Sequence, residues 1–261
     1  MPDYADSYYI QESSGVPLIK SRRITFPHGF STRLGGVSRA PGYETLDLGA
    51  GSETGAISEN RIRFARAVSG RDGVPLVFAK QIHSSMTVYA DRPGAEYECD
   101  ALVTDVPGII IAVKTADCIP ILFSDPVNRV VGAAHAGWRG TVAGVAASCL
   151  REMVSLGADP AKTVAAIGPC IKNCCYCVDN RFVSAVAIAE YADICLKHIS
   201  GGENLRADLQ LMNRDILLSC GIPAENICIS GFCTSCGNSL FFSHRAGRGI
   251  RGLMMSGICI D

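Results

Sequence analysis

Three residues, His83, Cys118 and His135, have the side chains of a metal site. Two β-rich runs, residues 119–123 and 129–134, flank Asp125-Pro126-Val127-Asn128, which has the residue types of a hairpin turn. A symmetric four-residue loop pairs Ser124 with Arg129 and sets Cys118 directly opposite His135, with Cβ atoms about 4.5–5.5 Å apart on one face. A one-residue bulge would undo that register. Both residues stand at corners, in Thr115-Ala116-Asp117-Cys118 and His135-Ala136-Gly137-Trp138-Arg139-Gly140, where functional groups gather. His83, in Lys80-Gln81-Ile82-His83-Ser84, is the third candidate. A Cys/His/His set leaves the fourth tetrahedral position to water or substrate, the arrangement of a catalytic zinc. The competing reading is a buried thiol and two histidines bonded to backbone groups, and spacing alone leaves both open.

The elements that must position these groups are read from periodicity. Apolar, β-rich runs at 76–79, 87–90, 109–113, 119–123 and 129–134 predict strands, with further strands expected at 162–167, 226–230, 239–243 and 253–260. Residues 141–156, 180–198 and 206–220 have helical spacing and end near Gly or Ser. The order is mixed rather than a regular βαβ alternation, which predicts mixed sheets flanked by helices. No repeat, charge block or low-complexity linker marks a domain boundary. The segment Gly49-Ala50-Gly51-Ser52-Glu53-Thr54-Gly55 precedes a helix expected over 57–68. A dinucleotide fingerprint needs a strong buried strand before it, whereas residues 43–48 are short and polar, so the segment reads as a loop into a capped helix.

At 261 residues, 48% hydrophobic and 19% charged, the chain can bury a sizeable core. A formal net charge of -1 offers no basic surplus for a phosphate backbone, so nucleic acid is not an expected partner. Residues 1–20 lack a basic patch followed by an apolar run, and no stretch is apolar enough to span a bilayer, so a soluble, cytoplasmic protein without a membrane partner is expected. The 13 cysteines, an odd number, then read as thiols or metal ligands rather than disulfides. Cys149, Cys195, Cys220, Cys228 and Cys259 sit among apolar residues and behave as small hydrophobes.

Six ordered motifs carry a resemblance. They are Gly29-Phe30-Ser31-Thr32-Arg33-Leu34-Gly35-Gly36-Val37-Ser38, Thr115-Ala116-Asp117-Cys118-Ile119-Pro120, His135-Ala136-Gly137-Trp138-Arg139-Gly140-Thr141, Ile167-Gly168-Pro169-Cys170-Ile171, Cys233-Thr234-Ser235-Cys236 and Phe241-Phe242-Ser243-His244-Arg245. Together they resemble the laccase-domain family, also called multicopper polyphenol oxidase, YfiH-like or peptidoglycan editing factor. The resemblance leaves residues 1–27 as an N-terminal extension and first-strand region ahead of a single catalytic domain, 28–261. It implies an α/β (α+β) fold class, a four-layer α-β-β-α arrangement with mixed β-sheets, and zinc ligated by His83, Cys118 and His135. It also implies purine nucleoside phosphorylase activity, with purine nucleosides and phosphate as ligands, and adenosine deaminase activity or methylthioadenosine cleavage in some members. Oligomeric state stays open between a monomer and a small homo-oligomer. Histidines stand at positions 28, 83, 135, 198 and 244, too few for a blue-copper site plus a three-copper cluster. Zinc is therefore the better assignment; copper in the same ligands would give weak polyphenol oxidase activity.

Candidate roles follow from the two reactions. For deamination, with zinc lowering the pKa of water, Asp117 beside Cys118 is the candidate proton carrier. Alternation along a strand instead makes it a structural hydrogen-bonding residue. Phosphorolysis needs an anion site. Arg33 offers a planar fork in a glycine-rich turn, and Arg139 lies at the expected start of a helix, where free amides favour anions. Arg33 is preferred, since the resemblance places its motif at the pocket; the alternative for each is a solvated or carboxylate-paired arginine. Asp47 stands where the family commonly has Asn and is expected to alter a polar contact to the ligand, and Cys177 replaces a family glutamate. Cys170, Cys174, Cys175, Cys177, Cys233 and Cys236 suffice for a second zinc or an iron-sulfur centre, but their spacing fits no clean motif and free thiols are expected. Two other classes remain: a peptidoglycan-precursor editing hydrolase with Cys118 as nucleophile near His135, and a non-enzymatic zinc or redox module. An open metal position favours an enzyme, and a closed one favours the module.

Overall fold

Alternation along each strand decides which layer its side chains enter. The computed structural model describes residues 7–49 and 51–261. Residues 1–6 of the N-terminal extension and Ala50 of the glycine-rich segment lie outside the described residues. The strands in chain order are β1 (Tyr8–Ser13), β2 (Val16–Ser21), β3 (His28–Ser31), β4 (Leu76–Lys80), β5 (Thr87–Tyr89), β6 (Glu96–Glu98), β7 (Ala101–Thr104), β8 (Ile110–Thr115), β9 (Ile119–Asp125), β10 (Val130–Ala136), β11 (Val164–Ile167), β12 (Ile199–Ser200), β13 (Arg206–Ala207), β14 (Ile227–Ile229) and β15 (Met254–Cys259). The helices are α1 (Thr54–Ser69), α2 (Trp138–Val142), α3 (Val145–Ser155), α4 (Asn180–Ala187), α5 (Ala192–Cys195) and α6 (Leu209–Ser219).

One sheet runs β1-β2-β3-β15-β8-β4-β6 and the other β14-β11-β9-β10-β7-β5, and each mixes parallel and antiparallel pairs. Ile110 and Ala112 of β8 pack with Phe64, Ala67 and Val68 of α1. Their neighbours Ile111 and Val113 cluster instead with Leu122 and Val131 of the second sheet. Ile119, Ile121 and Phe123 of β9 then turn outward to Leu150 and Met153 of α3 and Ile216 and Leu217 of α6. The result is the α-β-β-α sandwich that the resemblance implied. Strands covered on both faces have no exposed side, so β9 and β10 are buried at every position. The β1–β2 hairpin extends the first sheet, and Tyr8 Oη donates to the carbonyls of Ile167 at 2.9 Å and Cys228 at 3.2 Å, tying it to the second. Among the described residues no helix is long and apolar enough to cross a membrane.

Several elements differ from their expected form for local reasons. The helix expected over 141–156 is two, because Gly144 adopts φ +73° between α2 and α3. The helix expected from 206 starts at Leu209, where the Asp208 side chain accepts from Leu211 N at 3.1 Å and caps it, leaving Arg206 to pair with Ser200. Residues 180–198 form α4 and α5 with a break between them and a final 3₁₀ turn. No strand forms over 239–243: Phe241 and Phe242 are buried on a turn-rich loop, so their apolar character reflects burial rather than pairing. Glu53 precedes α1 without a side-chain cap bond, so the expected capped start is absent.

Phe64, fully buried between α1 and the first sheet, tests how independent the layers are. Phe64→Ala is expected to lower stability by about 3–5 kcal/mol, read from a denaturant titration, while the bound metal of the folded protein stays unchanged. Loss of metal together with stability would show that α1 supports the site.

Candidate active site

The chain crosses from one sheet to the other between β8 and β9, and the candidate ligands gather at that crossing. His83 follows β4 of the first sheet, Cys118 ends the bend joining β8 to β9, and His135 lies in β10 of the second sheet. Their donor atoms all lie within 4.8 Å of one another, and the His83 and His135 rings meet edge to face at 5.0 Å.

The route to that proximity is not the expected one. In the β9–β10 ladder Asp125 pairs with Val130 and His135 with Pro120, so the loop is 126–129 and Cys118 is not directly opposite His135. Asp125 sets this register: its carboxylate accepts from Val127 N at 2.9 Å, Asn128 N at 3.0 Å and Asn128 Nδ2 at 2.8 Å. Arg129 closes the turn in the left-handed region at φ +55°. The shift moves Cys118 two positions along the ladder, to the diagonal neighbour of His135, which keeps it on the same face. Gly137 then matters. A Cβ there would lie 3.1 Å from Cys118 Sγ, 3.3 Å from His83 Cδ2 and 3.6 Å from His135 Cε1.

Asp100, which sequence reasoning missed, organises the centre. It is wholly buried, and its carboxylate accepts from His83 N at 3.0 Å, Ser84 N at 2.6 Å, Ser84 Oγ at 2.8 Å and Ile82 N at 3.3 Å. It also meets His135 Nδ1 at 2.9 Å. These bonds hold the turn in which His83 sits at φ +60°, and they leave His135 Nε2 free for a ligand. Burial works against the Asp100 charge, but the His135 and Ser84 bonds outweigh it and bring the carboxyl to about 2. Burial likewise pushes the Cys118 thiol up, and hydrogen bonds from His135 and His83 overcome it and bring the thiol to about 6. For His135 burial works downward, and its bonds to Asp100 and Cys118 raise it to about 9. The metal-free centre is therefore a thiolate beside an imidazolium, and a metal ion would take the place of a proton. A soft thiolate, two imidazoles with one oriented by a carboxylate, and no side chain at Gly137 fit a zinc- or copper-type ion. Among the described residues no fourth His, Cys, Asp or Glu joins the group.

A cleft of 260 Å³ opens beside His83 and Cys118. Trp138 and Tyr176 form aromatic walls, both packed on Phe182, and His244, Arg245 and Arg251 supply the polar lining. Arg251 Nε is buried without a hydrogen-bond partner. Asp117 reaches the cleft, but its two oxygens are engaged by Thr234 Oγ1 and Arg245 N, each at 2.7 Å. Arg139 lines an adjoining cleft of 620 Å³ and stacks on Trp138 at 4.4 Å. Arg33 lines neither cleft: its Nε donates to Glu44 O and its Nη1 to Asn238 O, each at 3.0 Å, over the Phe242 ring. Asp47 also lies outside both, fully buried and accepting from Gly49 N and Leu253 N, each at 2.9 Å. Through Leu253 it anchors the segment that presents Arg251. His28 and His198 are engaged elsewhere, with Ser21 and Phe26 backbone and with Asp215. Arg245, His244, Trp138 and Tyr176 stood in motifs of the sequence without an assigned role; Arg251 had no such signal.

Asp100→Asn is expected to weaken metal affinity about 10–100-fold, measured by competition with a chromogenic chelator. In metal-stripped wild type, peptide-resolved alkylation of Cys118 is expected to have its midpoint near pH 6. The lowered pKa keeps the thiolate reactive above that value, and reactivity is lost as pH falls through it. In Asp100→Asn the midpoint should move upward. Identical profiles and metal affinities would remove Asp100 from its organising role.

Comparison with known proteins gives the family and the fold. A purine nucleoside phosphorylase of Deinococcus radiodurans is 37% identical over 92% of this chain and 91% of its own length. A protein named adenosine deaminase RL5, from an unknown prokaryotic organism, is 34% identical over 83% of this chain and 87% of its own. The crystal structure of the Bacillus licheniformis hypothetical protein YfiH superposes with a TM-score of 0.87 at 34% identity, covering 97% of this chain and 99% of that one. A family profile described as multi-copper polyphenol oxidoreductase laccase matches residues 27–261, and the chain belongs to that family.

Proposed function

We propose that the chain is a zinc-dependent purine nucleoside phosphorylase, converting adenosine, inosine or methylthioadenosine and phosphate into free base and sugar-1-phosphate. One observation carries this reading: an aromatic-walled cleft shares His83 and Cys118 with the metal group and is lined by Arg245 and Arg251. Trp138 and Tyr176 offer flat apolar surface for a purine. In phosphorolysis a phosphate oxygen bonds to the sugar carbon as the bond from that carbon to the purine nitrogen breaks. Arg251 and Arg245 would hold the phosphate and stabilise its charge. The anion-binding role proposed from sequence for Arg33 thus passes to Arg251 and Arg245, and Arg33 buttresses the wall at Glu44 and Asn238. Asp117 would position Arg245 rather than carry protons. Zinc held by His83, Cys118 and His135 would supply Lewis acidity beside the bound nucleoside. The open fourth position favours this over a non-enzymatic module. The five histidines, only two of them in the metal group, leave a multicopper cluster without ligands.

A second reaction, deamination of adenosine to inosine, is supported by the relative that bears that name. It requires water rather than phosphate, so phosphate dependence separates the two activities. Metal-loaded protein given inosine and phosphate is expected to release hypoxanthine and ribose-1-phosphate. Arg251→Ala should lower kcat/KM at subsaturating phosphate by about ten- to a hundredfold, the loss of one charge-assisted bond of about 1.5–3 kcal/mol, with metal content intact. His83→Ala, Cys118→Ala and His135→Ala should each lose the metal of this centre and both activities. If zinc-loaded protein leaves every purine nucleoside untouched but cleaves a peptidoglycan precursor, the editing reading replaces this one.

A further inference from the structure

A second group of metal-ligating side chains lies outside the catalytic centre. Cys174, Cys175, Cys233 and Cys236 converge at the surface with their sulfur atoms all within 4.8 Å of one another. Cys175 and Cys236 are 3.3 Å apart, Cys174 and Cys236 3.7 Å, and Cys174 and Cys175 3.8 Å. Four thiolates around one zinc at about 2.3 Å stand about 3.8 Å from each other in a regular tetrahedron. The sulfur spacing is thus that of a single-ion cage, too tight to surround a cluster of several irons. We propose that these four cysteines bind one structural zinc ion, closed to substrate, which staples the segment 172–177 to the segment 233–237.

Three features of the surrounding chain fit a thiolate-bound cation. The turn Cys233-Thr234-Ser235-Cys236-Gly237 is closed by Gly237 N donating to Cys233 O at 2.9 Å and anchored by Thr234 N donating to Cys170 O at 2.9 Å. These backbone bonds fix the direction in which Cys233 and Cys236 present their sulfur atoms. Four thiolates and one divalent ion leave a net double negative charge, and the cations Arg206 and Arg245 are fastened to the same loops. Arg206 Nη1 donates to the carbonyls of Asn173 and Cys174, and Arg245 Nη1 to that of Cys175 at 2.9 Å. The neighbours in sequence also explain what the staple would hold. Tyr176 follows Cys175 and walls the cleft, while Thr234 follows Cys233 and donates to Asp117 at 2.7 Å. The sequence offers these thiols as a second zinc site but favours free thiols, because one ligand pair is adjacent, Cys174-Cys175, rather than spaced as in a zinc knuckle.

The test counts metal in reduced protein loaded with zinc and dialysed. Two zinc ions per chain are expected in the wild type, one in Cys236→Ser, one in His83→Ala and none in the double variant. Cys236→Ser should also show faster proteolysis within residues 172–178. A second arm leaves the four cysteines untouched: cobalt added to the His83→Ala/Cys118→Ala protein should give intense thiolate-to-cobalt absorption that saturates at one equivalent. One zinc per chain in the wild type, abolished by His83→Ala alone, would overturn the proposal, as would cobalt-loaded protein without that absorption. Because each site is removed separately, failure of the four-cysteine site leaves the catalytic reading standing, and the reverse.

Discussion

A carboxylate shut away from water is costly unless its lone pairs are filled, and in this protein the filling is what builds the site. Asp100 accepts from the backbone of the turn that carries His83 and from the ring of His135. One side chain thus joins a turn of the first sheet to a strand of the second. The left-handed backbone at His83 persists because Asp100 fixes the amides on either side of it. The same bond decides which nitrogen of His135 is left for a ligand. Without Asp100 the turn that carries His83 would lose its side-chain tie to the β9–β10 ladder that already holds Cys118 and His135 together.

The two sheets provide the rigid frame for that contact. Their facing sides are apolar through Ile111, Val113, Leu122 and Val131, and the chain passes between them at Ala116, Asp117 and Cys118. Asp117 turns through this passage at φ +89° with both oxygens bonded to the loops at 234 and 245. The cleft wall and the metal group are therefore coupled through adjacent residues. Four cysteines at the far end of the same loops extend that coupling to the surface.

The strands that matter most were legible in sequence because burial on both faces leaves unbroken apolar runs, as in β8, β9 and β10. The short strands β6 and β7 and the β1–β2 hairpin gave no such signal, since polar or few residues carry them. His83, Cys118 and His135 were legible as a set, yet the register that joins two of them was not. It depends on whether Asp125 stands inside the turn or at its edge, and that is settled by hydrogen bonds to Val127 and Asn128. Asp100 was invisible for a related reason: three of its partners are backbone amides, which have no sequence signature, and the other two, Ser84 and His135, lie 16 and 35 residues away. Arg33 carried the types expected of an anion site, but a guanidinium is equally suited to gather carbonyls, and Glu44 and Asn238 occupy it.

Gly137 limits how this centre could change over generations. It stands one step beyond the end of the β9–β10 ladder, across from Cys118, where a side chain would face the three donors. A single carbon there already crowds Cys118 and His83 and touches His135. Any residue that replaced it would first have to displace the Cys118 and His83 side chains by a few tenths of an ångström. The route by which an accessible coordination position would most readily be sealed by one codon change is therefore obstructed by the ligands themselves, and the site's reactivity is shielded against drift toward a purely architectural role.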